Sequence, residues 1–266
     1  MLNKKTRVDI AREAYLRGDV SMARKAHGKS AIRDSINHEE AHKTSFSLPE
    51  IILGGQDGLV NVLGVILGVA AATGDARVVI VAGLAATFAE SVSMAAVAYT
   101  SKIAEVDYYQ SEYEREKWEI EKFPDSEREE IRSLYKHYGF KGPTLDQIVE
   151  TITSNKQTWL EVMMNQELKL EPVERKEALK DSAIVGFAAL GGSFIPLTSF
   201  FFLPVGSAIA VSIVVSSVTL FVVGYYKAQV TLGRNLLRQG AEMMVIGMVS
   251  ALVGYLVGSL FKLPPV

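Results

Sequence analysis

The stretch "IILGGQDGLVNVLGVILGVAAAT", residues 51–73, carries a single charge, Asp57. A bilayer core of ~30 Å is crossed by about 20 apolar residues of helix, so this run is long enough to span. Moving outward, residues 78–101 hold one charge, Glu90, and residues 182–206, 207–226 and 243–261 hold none. A soluble core has no use for so many uncharged runs. The expectation is an all-α integral membrane protein with five transmembrane helices. Only the turn around Leu203-Pro204-Val205-Gly206 divides the third from the fourth.

The charge is concentrated elsewhere. The chain has 266 residues and a net charge of −2, a sum that conceals segments of opposite sign. Four parts are expected: a basic helical arm (1–49), transmembrane helices 1–2 (50–103), an acidic helical domain (104–178) and transmembrane helices 3–5 (179–266). Residues 1–45 carry ten Lys and Arg, and the connection 227–240 carries Lys227, Arg234 and Arg238 without an acid. The opposite connections are nearly uncharged. Basic connections stay in the cytosol, so the arm and the acidic domain are expected there, and the C-terminus on the other side. The charged first 45 residues contain no apolar core and do not read as a signal peptide. No motif selects the membrane: a cytoplasmic membrane is expected in a prokaryote, a vacuolar one in a eukaryote. The absence of cysteine excludes disulfides and thiolate metal sites. No nucleic-acid partner is expected.

Residues 7–27 read as a short helical hairpin broken at Gly18-Asp19, with Asp19 as a cap and anionic headgroups as its neighbours. "HEEAH", residues 38–42, fits the H-E-x-x-H pattern of zinc proteases. It has no clear third ligand, and a juxtamembrane linker offers no substrate cleft, so no enzyme is read from it. The acidic stretch 105–130 contains eleven acids and four bases, so ion pairing cannot neutralise it. Glu112, Glu116 and Glu119 share one helical face, as do Glu127 and Glu130. Pro124 separates the two pieces, and Thr144 is a candidate cap for the next helix. Then comes "VMMNQE", in which Met163 and Met164 stand four and three residues before Glu167.

Asp57 and Glu90 are the only carboxylates in the apolar runs. An ionised carboxylate in hydrocarbon costs ~3 kcal/mol or more, so each is expected to face protein, a water-filled path or a proton. Gly54, Gly55 and Gly58 allow close helix approach around Asp57, and Gln56 and Asn61 add polarity. Met94 lies one turn beyond Glu90. Carboxylates suit hard cations and thioethers add affinity for softer ones. The mixture favours Fe²⁺, with Mn²⁺, Co²⁺ and Zn²⁺ as neighbours, over Cu⁺ or Ca²⁺.

These residues resemble the vacuolar iron transporter family. The resemblance runs through "IILGGQDGLVNVLGV", "VAGLAATFAESVSMAAVAYTSK", "WLEVMMNQEL", "GGSFIPLTSFFFLPV" and "FVVGYYKAQV", and covers about residues 50–262. It implies a homodimer of five-helix subunits with a cytosolic metal-binding domain between helices 2 and 3, exporting Fe²⁺ from the cytosol in exchange for protons. It implies that Asp57 and Met94 line the transport path. It also implies that Glu116, Glu119, Glu127, Glu130, Met163, Met164 and Glu167 bind metal. One departure stands out: the second-helix glutamate of some members is Ala86 here. Either Glu90 takes its place or the site is built differently.

Two rivals remain beside iron export: a manganese-selective exporter, and a membrane-anchored iron sensor or store. A di-iron oxidase would call for Glu-x-x-His on paired helices, whereas the acidic domain holds one histidine, His137, and no such pattern. No cofactor is expected. The expected partners are the lipid bilayer, divalent metal ions, protons and a second copy of the chain.

Overall fold

The structure is a computed structural model and describes residues 7–28, 48–231 and 235–261. "HEEAH" and Arg234 lie outside the described residues. All regular elements among the described residues are helical: α1 (Arg7–Arg17), α2 (Val20–Ala26), α3 (Leu48–Thr73), α4 (Ala76–Lys122), α5 (Pro124–His137), α6 (Gly142–Thr153), α7 (Lys156–Val162), a π-helical turn (Met163–Glu167), α8 (Arg175–Phe202), α9 (Val205–Val230) and α10 (Leu236–Leu260). Five of them, α3, α4, α8, α9 and α10, are long and apolar enough to cross a bilayer. Their outward faces carry Phe88, Val92, Phe202, Val214, Val218, Val249 and Leu252, all exposed. Apolar surface on that scale is unsuited to water, and helices satisfy their own backbone groups in lipid. The protein is an integral membrane protein.

The chain forms two compact units, residues 1–90 with 188–266, and residues 91–187. The first is held by glycine. A Cβ on Gly68 would stand 2.8 Å from the Gly254 carbonyl oxygen, and one on Gly258 would overlap the Gly68 backbone. Gly64-xxx-Gly68 on α3 therefore lies against Gly254-xxx-Gly258 on α10, the close packing that small residues permit between membrane helices. Around it Val62, Leu63, Ile66, Val79, Leu197 and Phe200 form the buried apolar core. Leu203-Pro204 breaks the chain between α8 and α9 as the sequence suggests, with Pro204 as the N-cap of α9. Within α8, Pro196 cannot donate to the carbonyl of Gly192. On the other side of this flaw, Ser212 Oγ donates to the Pro196 carbonyl at 2.8 Å, and Ser199 Oγ lies 3.0 Å from the Ala208 carbonyl. The N-terminal hairpin breaks where expected. Gly18 takes φ +63, and Asp19 accepts from the amides of Ser21 and Met22.

The second unit packs α5, α6, α7 and the π-turn around Ile120, Ile131, Val149, Trp159, Leu160, Met163 and Met164. α4 does not break where composition changes at 103/104. Its 47 residues extend about 70 Å at 1.5 Å per residue. Only the apolar 78–101 part matches the hydrocarbon, and neither Gly nor Pro interrupts 84–123. Thr144 is not a cap: α6 begins one turn earlier, with Lys141 at the N-cap and Pro143 in the first turn, where proline's missing N–H costs nothing.

Candidate metal-ion sites

Asp57 stands in α3 between Gly55 and Gly58, the residues whose backbones meet α8. A Cβ on Gly58 would overlap the carbonyl of Ala189, and one on Gly192 would overlap that of Gly55. The two backbones therefore touch on both sides of Asp57. Asn61, one turn on, donates from Nδ2 to Asp57 Oδ2 at 3.2 Å and to Glu90 Oε1 on α4 at 3.1 Å. Glu90 thus stands with Asp57. Ala86 packs instead against the apolar core. Ser193 is fully buried beside Gly58, and its hydroxyl lacks a hydrogen-bond partner. Met94 is half-buried, one turn beyond Glu90 on α4. The sequence reading named Asn61 only as added polarity, and its bridging role depends on a contact across 29 positions. Ser193 carried no sequence signal.

The second unit gathers the other acids. Glu112, Glu116 and Glu119 share a face of α4 as expected, and Arg115 reaches all three, at 2.7 Å from Glu112, 2.6 Å from Glu116 and in a close contact with Glu119. Arg115 went unremarked in the sequence, although its spacing of three from Glu112 and four from Glu119 was a signal. Glu116 and Glu127 are 2% and 5% exposed, and Oε2 of each lacks any hydrogen-bond partner. A buried charged oxygen without a partner is costly, and a cation would satisfy both. Burial first, then the charges of Glu130, Glu116, Glu119 and Glu167, push the Glu127 carboxyl up to about 7. Glu167 is likewise raised to about 7, by burial and then by Glu130, with which it shares a hydrogen bond. Burial also raises Glu116. Glu116, Glu119, Glu127, Glu130 and Glu167 are therefore close enough to feel one another. Among the described residues, no three Asp, Glu or His side chains converge tightly enough to enclose an ion. The set is a neighbourhood of negative charge, not a closed cage.

Met163 and Met164 are 0% and 1% exposed and belong to the apolar core of this unit. The local backbone is not the α-helix that the spacing suggests. Asn155 caps α7 by accepting from Gln157 and Thr158, and the helix then widens into the π-turn, where Leu168 N donates to Met163 O at 3.1 Å. Such turns displace a residue from the regular helical faces and are frequent at functional sites. Here the turn leaves Glu167 outside the core that holds both thioethers. Just past its C-cap, Leu168, stands Lys169, whose φ of 57 is a left-handed conformation usually taken by glycine.

Comparison with known proteins bears on what these sites serve. The sequence model of the VIT family matches residues 48–259. The chain is 32% identical over 220 residues to vacuolar iron transporter 1 of Tulipa gesneriana, covering 82% of this chain and 89% of that one. It is 31% identical to vacuolar iron transporter 1 of Arabidopsis thaliana over 221 residues, covering 82% and 88%. With the vacuolar iron transporter of Plasmodium falciparum it shares 31% over 273 residues, 98% of both chains.

Proposed function

The chain belongs to the VIT family, and from this premise we propose that it carries Fe²⁺ out of the cytosol in exchange for protons. Iron transport across a membrane follows from the family, and the protein is a transporter rather than an enzyme. The observation that carries the finer reading is the Asp57–Asn61–Glu90 network, two carboxylates held together inside apolar helices. An anchor gains nothing from such a pair, whereas a carrier of a divalent cation needs one. Asp57, Glu90 and Met94 are the groups the ion meets within the membrane. Metal and proton compete for the same carboxylate lone pairs, so protonation from the far side releases the ion and resets the carrier. The orphaned oxygens of Glu116 and Glu127 support a collecting role for the acidic unit, together with Glu119, Glu130, Glu167 and the thioethers of Met163 and Met164. Placing that unit in the cytosol rests on the basic connections, and the homodimer on the family resemblance. Mn²⁺, Co²⁺ and Zn²⁺ are secondary cargo, because a mixture of carboxylates and thioethers suits them as well.

Proteoliposomes with an imposed pH gradient test the reading. The native protein takes up Fe²⁺ in step with the gradient and Asp57→Ala does not. Undiminished uptake in Asp57→Ala, or uptake indifferent to the gradient, refutes it.

A further inference from the structure

A neutral side chain bridges the two intramembrane carboxylates, which also lie within hydrogen-bond reach of each other. Asn61 Nδ2 stands 3.2 Å from Asp57 Oδ2 and 3.1 Å from Glu90 Oε1. Both oxygens are acceptors, so the group between them must donate twice, and a primary amide nitrogen carries two hydrogens. A lysine could also donate to both, but its charge would cancel one of theirs and repel a cation. An asparagine holds the two anions together while leaving their charge available. The amide is also reachable. Asn61 lines a groove of about 530 Å³ that runs along Gly64 and Gly68 on α3 and Gly254 and Gly258 on α10. No side chain beyond hydrogen projects from those four positions.

We infer that Asn61 is a positioning residue of the carrier site, which fixes Asp57 and Glu90 as one paired oxygen donor for a divalent cation. The inference rests on the transport reading above. Without the bridge, two like charges on adjacent helices turn away from each other, and the ion must draw them together at the cost of its own binding energy. The loss therefore falls on binding rather than turnover, and it requires Glu90 to be present.

Uptake of Fe²⁺ into proteoliposomes separates the possibilities, with size-exclusion profiles as a check on folding. Asn61→Leu keeps the size and removes both donors. It raises the iron concentration for half-maximal uptake about tenfold, as expected for a lost charge-assisted hydrogen bond, while the maximal rate changes less than about threefold. Asn61→Asp, the same shape without donors, shows the same or a larger rise and stands in if the leucine variant misfolds. Asn61→Gln restores part of the affinity. In a Glu90→Gln background, Asn61→Leu adds less than about twofold, because the partner it positions is gone. An unchanged half-maximal concentration in both donor-free variants overturns the inference, as does a full tenfold effect in the Glu90→Gln background. If Asp57→Ala and Glu90→Gln both transport normally, the carrier site itself falls. If Asp57→Ala is inactive and Asn61→Leu is normal, only the role of Asn61 falls.

Discussion

The two acidic regions keep their carboxylates ready for a cation in opposite ways. Asp57 and Glu90 are tied by a neutral amide. The glutamates of the second unit are partly neutralised by a cation of the protein's own, since Arg115 binds Glu112, Glu116 and Glu119. Glu127 and Glu167 carry the unrelieved charge and are raised to about 7. The lesson concerns dielectric. In lipid an arginine beside two carboxylates would cancel one of their two charges and bind both in an unscreened ion pair that competes with a metal. Nearer water the attraction is screened, and an arginine can hold the cluster without closing it.

The sharpest way to break this contrast is to remove one carboxylate from each region. Asp57→Ala should lower iron uptake more than about 100-fold, the scale of a lost ligand at the centre of a transport step. Glu127→Gln should leave the maximal rate nearly intact and raise the iron concentration needed. Equal losses in the two variants would show that the regions are not functionally distinct. A second difference lies in metal affinity. Glu116→Gln with Glu127→Gln should weaken binding by about tenfold in a calorimetric titration, since each replaces a partnerless buried oxygen's charge. Asn61→Leu should leave that titration of the acidic region unchanged.

The next effect is on stability. Glu127 and Glu167 have folded pKa values near 7, above the ordinary value of about 4.3 for an unfolded glutamate. Between those values the folded protein binds more protons than the unfolded one, so stability falls as pH rises. Their favourable contribution is complete below about 4.3 and gone above about 7. Thermal unfolding without metal should therefore occur at lower temperature at pH 7.5 than at pH 5.5. Added Mn²⁺ should raise the midpoint at pH 7.5 more than at pH 5.5. A metal-free midpoint that climbs with pH would remove the charge crowding.

Smaller still are two local changes. Met163→Leu with Met164→Leu conserves volume in the core and should cost less than about 1.5 kcal/mol, while metal affinity in the acidic region drops. Unchanged affinity would return both methionines to packing alone. Lys169→Gly should stabilise by about 1 kcal/mol, because glycine takes the left-handed backbone without strain. Chemical denaturation reads both.

The membrane part was legible because charge is excluded from lipid. Runs with at most one charge located α3, α4, α8, α9 and α10, and Leu203-Pro204 marked its own break. The length of α4 was hidden, because the shift from apolar to acidic at 103/104 looks like a boundary although both halves favour helix. Asp57 and Glu90 were legible as isolated charges, but their joining through Asn61 is a tertiary contact without local trace. The spacing of Met163, Met164 and Glu167 suggested a shared helical face. The π-turn altered that register, and hydrogen-bond slippage of this kind has no compositional mark. Arg115 could have been found by asking which base stands within one turn of three glutamates, instead of weighing totals of acids against bases.

Pro196 has a local consequence. It deprives the carbonyl of Gly192 of its helical donor, and Gly192 is the residue whose backbone abuts Gly55, two positions before Asp57. One turn further along, Ser199 and Ser212 pin α8 to α9. The carbonyl that Pro196 frees therefore lies at the seam where α8 abuts the segment of α3 that carries Asp57.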